Sequence, residues 1–356
     1  MSADRCVQPA ASAIAAAIAA TDYTRRSPLA IGGRGGHKEW QHFVILASGM
    51  DLLVNFSLCD DTRGVAAPGS ELPRIVLIVN DGEWDGDVET FAANEVMVRG
   101  GGIDFAFARN RLVFDRGRFR LSVALRQRPV VLDLELTPVT YPAHIPSIAM
   151  LDGPPLHWTV VPRLRASGTV TVNGRTHELH DEPAYHDHNW GHFLWGHDIS
   201  WEWSFVLPDD SAVPWSLTFL RLSDRVRGTA LAQDILVWRG KHLIEVFRER
   251  DVVFDTALAH LRSEPLFKIP RVMALLAPES AADIPARFAV RGRTWRDWIE
   301  CASTPQAVAQ VLIPNDTNLG VTIFNEVSAH SQVRGCIAGE EICFSGRSTM
   351  EFIRHV

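Results

Sequence analysis

The sequence predicts an all-β protein built from two antiparallel β units in tandem. Three observations lead there. Apolar and polar residues alternate over many short segments, glycine-containing turns recur between them, and long helical patterns alternating with strands are missing. The chain has 356 residues, which is long for one core and comfortable for two. About twenty strands' worth of material is too much for one small barrel.

The elements follow in order. Ala10–Ala20 is mostly alanine, with only Arg5 upstream as a cation beside Asp4. It predicts a short surface helix or a disordered arm over residues 1–27, ahead of a signal peptide. Trp40–Leu58 is two apolar runs around Ser48-Gly49, a hairpin signal. Arg111–Val139 repeats the theme around Arg116-Gly117, with apolar and polar residues alternating in Phe119–Leu125. Arg163–Asp181 carries Asn173-Gly174, the strongest short hairpin signal. Ile199–Leu207, Val213–Asp224 and Asp234–Val246 read as strands, the last turning at Arg239-Gly240. Residues 327–354 read as two or three short strands. Helical pattern is confined to Leu266–Ser280 and Thr304–Ile313. No Pro/Gly/Ser linker marks the boundary between the units. It is placed near residue 200, giving an N-terminal unit over 28–198 and a C-terminal unit over 199–356.

Composition narrows the function. Net charge is −7 with mixed signs and no basic stripe, which argues against nucleic acid as a partner. Cys6, Cys59, Cys301, Cys336 and Cys343 form no CxxC pair. A disulfide framework and a thiolate zinc site are therefore not expected, and a reducing, cytoplasmic setting fits best. No apolar run reaches the roughly 18–20 residues of a membrane span. Eleven tryptophans against three tyrosines suit a hydrophobic cavity, or a core.

The densest chemistry lies in "YHDHNWGH", Tyr185–His192. Three readings stand side by side. As a metal site it offers His186, His188 and His192, with His197 beyond, but the asparagine and glycine of Asn189-Trp190-Gly191 are poor helix residues and no HExxH is present. As an acid–base site in an extended segment, Tyr185, Asp187 and Asn189 share one face, and His186, His188 and Trp190 the other. An aspartate facing an apolar lumen is desolvated, which favours its protonated form and a general-acid role. As plain structure, the same residues make a buried hydrogen-bonded plug. Other motifs carry less. The Gly-rich Ala30–Trp40 follows no strand, and no G-x-S-x-G is present. Asp81–Asp87 begins like a calcium loop, but Ala92 stands where the closing glutamate belongs.

At these residues the chain resembles a known family. "YHDHNWG" (Tyr185–Gly191) is similar to the signature of carotenoid 1,2-hydratases, or hydroxyneurosporene synthases, and their tandem-lipocalin relatives, natural-product Diels–Alderases among them. "KEWQHF" (Lys38–Phe43) is similar to the family's E-W-x-x-F strand entry, with His42 where an aromatic usually stands. "HWTVVPRLRASGTVTVNG" (His157–Gly174) is similar to its W-x-x-x-P strand and hairpin, with Thr159 where many relatives carry an aromatic. The C-terminal half resembles the family only in its closing strands. The resemblance implies two lipocalin-like β-barrels and a long apolar substrate such as a polyene, terpenoid or polyketide. It implies Asp187 as proton donor to a C=C bond, with Tyr185 and His188 tuning or relaying the proton. Trp158, Trp190, Asn189, His186 and Trp40 would then line the substrate site. No cofactor and no metal is implied. Membrane contact would come only through the greasy substrate. Cyclisation and simple binding of a lipid or pigment are the alternatives to hydration.

Overall fold

The computed structural model describes residues 8–25, 37–59, 73–150, 155–195, 199–224, 226–256, 266–275, 284–316 and 319–355. His197, most of the Gly-rich stretch and the end of Leu266–Ser280 lie outside them. The chain divides into two units, Met1–Ile148 with Pro154–Phe193, and Ala149–Gly153 with Leu194–Val356.

The first unit opens with helix α1 (Gln8–Thr21). Its strands are β1 (His37–Ala47), β2 (Met50–Cys59), β3 (Arg74–Asn80), β4 (Trp84–Thr90), β5 (Val96–Val98) and β6 (Asp104–Phe107). Then come β7 (Asn110–Asp115), β8 (Arg118–Ala124), β9 (Val130–Pro138), β10 (Ala143–Ile148), β11 (Leu156–Val172) and β12 (Arg175–His192). They form one curled antiparallel sheet in the order β4-β3-β2-β1-β12-β11-β9-β8-β7-β6-β5, with β10 on β11. The hairpin turns fall at Ser48-Gly49, Arg116-Gly117 and Asn173-Gly174. Asn173 and Gly174 both take positive φ, 50° and 77°, which a two-residue turn matched to strand twist requires.

The second unit holds β13 (Ser200–Pro208), β14 (Trp215–Ser223), β15 (Ala230–Arg239), β16 (His242–Arg248), β17 (Val252–Thr256), β18 (Phe267–Ile269) and the short helix α2 (Arg271–Ala274). It closes with β19 (Phe288–Arg293), β20 (Trp298–Pro314), β21 (Val321–Ile337) and β22 (Glu340–His355). The sheet order is β16-β15-β14-β13-β22-β21-β20-β19-β17. All pairs are antiparallel except that of β18 with β20. The protein is thus all-β, with two large curled, lipocalin-like sheets.

Three expectations need correction. Thr304–Ile313, read as helical, lies within β20. A register shift at Pro305–Ala307 resets the alternation, and Val308–Leu312 are all buried, so no period of two survives in the sequence. The expected short closing strands are two long ones, β21 and β22. Gly346 lies within β22, where a Cβ would run into the Leu207 carbonyl of β13. The Ala10–Ala20 segment is helical, but it is no free arm. Ile14 and Ile18, one turn apart, are buried in the first core beside Phe43, Phe119 and Leu121.

Alternation marks where a strand has one solvent face. β8 reads exposed–buried throughout. From Ala184 to Gly191, by contrast, every residue of β12 is buried, and β1 is buried on both faces from Gln41 to Ala47. The polar residues of the signature therefore lie inside protein, where each must find a partner.

A two-faced candidate site on β12

β12 pairs with β1 and β11, and the register fixes which residues share a face. His42 lies opposite Asp187, Trp40 opposite Asn189, and Gln41 opposite His188. On the other side Val160 lies opposite Asp187 and Trp158 opposite Asn189. Hence Tyr185, Asp187 and Asn189 share a face with Trp40, His42 and Trp158. His186, His188 and Trp190 share the opposite face with Glu39, Gln41, Phe43 and His157. Of the residues expected to act together, His188 is separated from Asp187 by the sheet itself.

On the first face Asp187 is 3% exposed. The Tyr185 hydroxyl donates to Oδ2 at 2.8 Å, and Asn189 Nδ2 donates to Oδ1 at 2.8 Å. Each neighbour sits two residues away, the strand spacing that brings side chains onto one side. Trp158 is fully buried and Trp40 half-buried. His42 lies directly across from Asp187, and its pKa is lowered to about 3 by burial and by the charge of His186. It is a neutral imidazole, with Nδ1 at 3.5 Å from Asn55 Nδ2.

The second face is an ionic plug. His188 Nδ1 lies 2.9 Å from Asp22 Oδ1 and its Nε2 lies 2.9 Å from Glu39 Oε1. His186 Nε2 lies 2.8 Å from Asp22 Oδ2, and its Nδ1 lies 2.9 Å from the His42 carbonyl. His186 also stacks on Phe43 at 4.1 Å. Burial opposes charge on His188, yet the two carboxylates outweigh it and raise its pKa to about 9. Burial likewise pushes Glu39 up, but hydrogen bonds from His188 and His37 bring it down to about 2. Asp22 is held well below the usual carboxylate range, its burial outweighed by the charges and hydrogen bonds of His186 and His188. His188 is therefore an imidazolium between two carboxylates. All four imidazole nitrogens of His186 and His188 face protein oxygens. Among the described residues no group of three or more His, Cys, Asp or Glu is placed to hold a metal.

Sequence reasoning missed Asp22, which follows the alanine-rich α1 with no motif around it. Glu39 was visible as the one acidic residue in "HKEWQHFVILA", and His42 as an imidazole in an aromatic's place. A cavity of about 730 Å³ lies elsewhere in the unit, lined by Arg99, Asp104, Arg111, Asp115, Arg120 and Asp133. Its charged walls suit no apolar substrate, and it is not taken as the site.

No family model matches the chain, and no curated protein matches it. Solved structures do. A protein of Nitrosomonas europaea provisionally named AttH aligns with a TM-score of 0.62 over 92% of this chain and 97% of its own, at 15% identity. Kievitone hydratase of Nectria haematococca aligns with a TM-score of 0.58 over 90% of each chain, at 11% identity. CghA aligns with a TM-score of 0.61 over 90% of this chain and 88% of its own, at 12% identity. The chain has the fold of these three proteins.

Proposed function

We propose that the protein is a cofactor-independent enzyme that hydrates a C=C bond of a hydrophobic substrate, with Asp187 as the general acid. The observation that carries this reading is the buried Tyr185–Asp187–Asn189 triplet beside Trp40 and Trp158. The name of kievitone hydratase, which shares the fold, is in keeping with it.

The chemistry runs as follows. The Asp187 carboxyl gives its proton to the less substituted alkene carbon, forming a C–H bond and a carbocation. Water adds to the cation, and the oxonium proton returns to the Asp187 carboxylate. Tyr185 serves both states: it donates to the ionised carboxylate and accepts from the protonated one. Asn189 donates to the other oxygen throughout. Tryptophan faces stabilise the passing cation, and exclusion of bulk water keeps the acid from being levelled. The reacting acid thus lies on the Asp187 face. The His188 cluster braces β12 from behind.

The test is turnover of an isoprenoid alkene in deuterated water, read by mass spectrometry. Hydration installs one hydroxyl and one carbon-bound deuterium. Asp187→Asn is expected to lower the rate by about 10²–10⁴-fold. A folded Asp187→Asn protein with full turnover removes the general acid. An unchanged mass with a new retention time means cyclisation, and tight binding without product means a carrier.

A further inference from the structure

Behind the signature, on the face away from Asp187, lies an arginine whose guanidinium has no carboxylate partner among the described residues. The Arg25 guanidinium sits 3.4 Å from the Tyr23 ring and 4.5 Å from the Trp190 ring. Among the described residues its one hydrogen bond is from Nη2 to the Thr21 carbonyl at 2.8 Å. Its Nε is buried with no acceptor among the described residues. Glu39 is the nearby carboxylate, but it takes the Arg25 backbone N–H at 2.7 Å and His188, not the guanidinium. Asp22 is likewise committed to His186 and His188. A guanidinium donor withdrawn from water with no acceptor is costly, and a bound anion relieves that cost.

Two histidines flank the same tryptophan. His157 and His144 lie 5.2 and 5.5 Å from Trp190, with planes within 6° and 4° of it. His157 Nδ1 accepts from the Ser147 N–H at 3.2 Å, which places the ring proton of the neutral form on Nε2. His144 Nδ1 meets the Thr159 hydroxyl at 3.1 Å. His144 also bonds the Trp158 backbone, whereas His157 Nε2 is without a protein partner among the described residues. His144 is exposed and His157 half-buried, so the group is open to a ligand.

We propose that Arg25, His144 and His157 form a binding site for a flat organic carboxylate, an aromatic or conjugated acid. The guanidinium edge takes the carboxylate oxygens, His157 Nε2–H adds a donor, and the parallel rings receive the acid's flat body. The local charge fits. After burial, the main influence lowering the pKa of both His144 and His157 is the charge of Arg25. His157 and His188 add to it at His144. The remaining charges nearby, Asp22, Glu39 and His37, belong to the ionic plug. The site lies across the sheet from Asp187 and stands independently of the hydration reading.

The experiment titrates the full chain with benzoate while following the imidazole C–H resonances of His144 and His157 by NMR. Saturable binding is expected, with both histidine pKa values raised in the complex, because the anion offsets the arginine's field. Arg25→Gln is expected to weaken benzoate by about tenfold or more, with Arg25→Lys in between for want of the fork. His157→Gln, which leaves the arginine in place, is expected to weaken it less. No saturable shift with benzoate overturns the proposal. So does equal binding by Arg25→Gln, or, should that variant not fold, by His157→Gln. Tighter binding of inorganic phosphate than of benzoate overturns the assignment to a carboxylate.

Discussion

At the scale of single residues, neighbours in the signature have opposite duties. Asp187 and His188 are adjacent in the chain, yet one faces Tyr185 and Asn189 and the other faces Asp22 and Glu39. Substitutions should separate the two duties. Tyr185→Phe removes one hydrogen bond to Asp187 and is expected to lower kcat by about tenfold and to cost about 1–3 kcal/mol, because a buried carboxyl oxygen loses its donor. His188→Ala leaves two buried carboxylates facing each other across a void. It is expected to cost about 3–5 kcal/mol in denaturant unfolding. A His188→Ala protein as stable as the wild type would mean that the plug contributes nothing. Of this arrangement the sequence disclosed the alternation, and so the composition of the two faces. It did not disclose Asp22, because partners so far apart in the chain meet only through the fold.

At the scale of elements, α1 is the support of the plug. The helix ends at Thr21, and Asp22 follows at once with its N–H bonded to the Ile18 carbonyl at 2.7 Å. Ile14 and Ile18 anchor it in the core. Ile18→Ala is expected to cost about 2–5 kcal/mol through the cavity it leaves. It is also expected to shift the His186 and His188 resonances, since Asp22 moves with the helix. Unchanged imidazole signals would mean that Asp22 is held without α1. An alanine-rich segment reads as a loose arm because its mean polarity is low in both settings. Two isoleucines a turn apart were the legible sign of a buried face. β20 shows the converse failure. Its bulge and doubly buried end erased the strand period, leaving an Ala/Val/Gln run with no local mark of its state.

At the scale of the whole molecule, the two units carry buried titratable groups of opposite sense, so acid should act on them differently. In the first unit Asp22 and Glu39 have lowered pKa values. Their contribution is fully present above the unfolded carboxylate values, 3.8 and 4.5, and is lost as pH falls towards about 2. His188 is raised from 6.5 to about 9, so its contribution is full below 6.5 and lost as pH rises through 9. His42, lowered from 6.5 to about 3, loses its contribution as pH falls below 6.5, so the first unit is most stable near 6.5. In the second unit burial raises Asp234 from 3.8 to about 6, over the opposing charge of Arg248. Burial also raises Glu351, against hydrogen bonds from Glu326 and Trp201. A raised carboxyl contributes most below its unfolded value and loses that contribution as pH rises through the folded one. Acidification from about pH 5 to about pH 3 should thus weaken the first unit through Asp22, Glu39 and His42 while strengthening the second through Asp234 and Glu351. Hydrogen exchange resolves the units, whereas a single melting temperature does not. Protection in β1 and β12 is expected to fall on that step, and protection in β14 and β15 to rise. Asp234→Asn should reduce the rise, leaving the share of Glu351, and leave the fall intact. Protection in β1 and β12 that does not fall would show that these buried groups do not set the acid limit of the first unit.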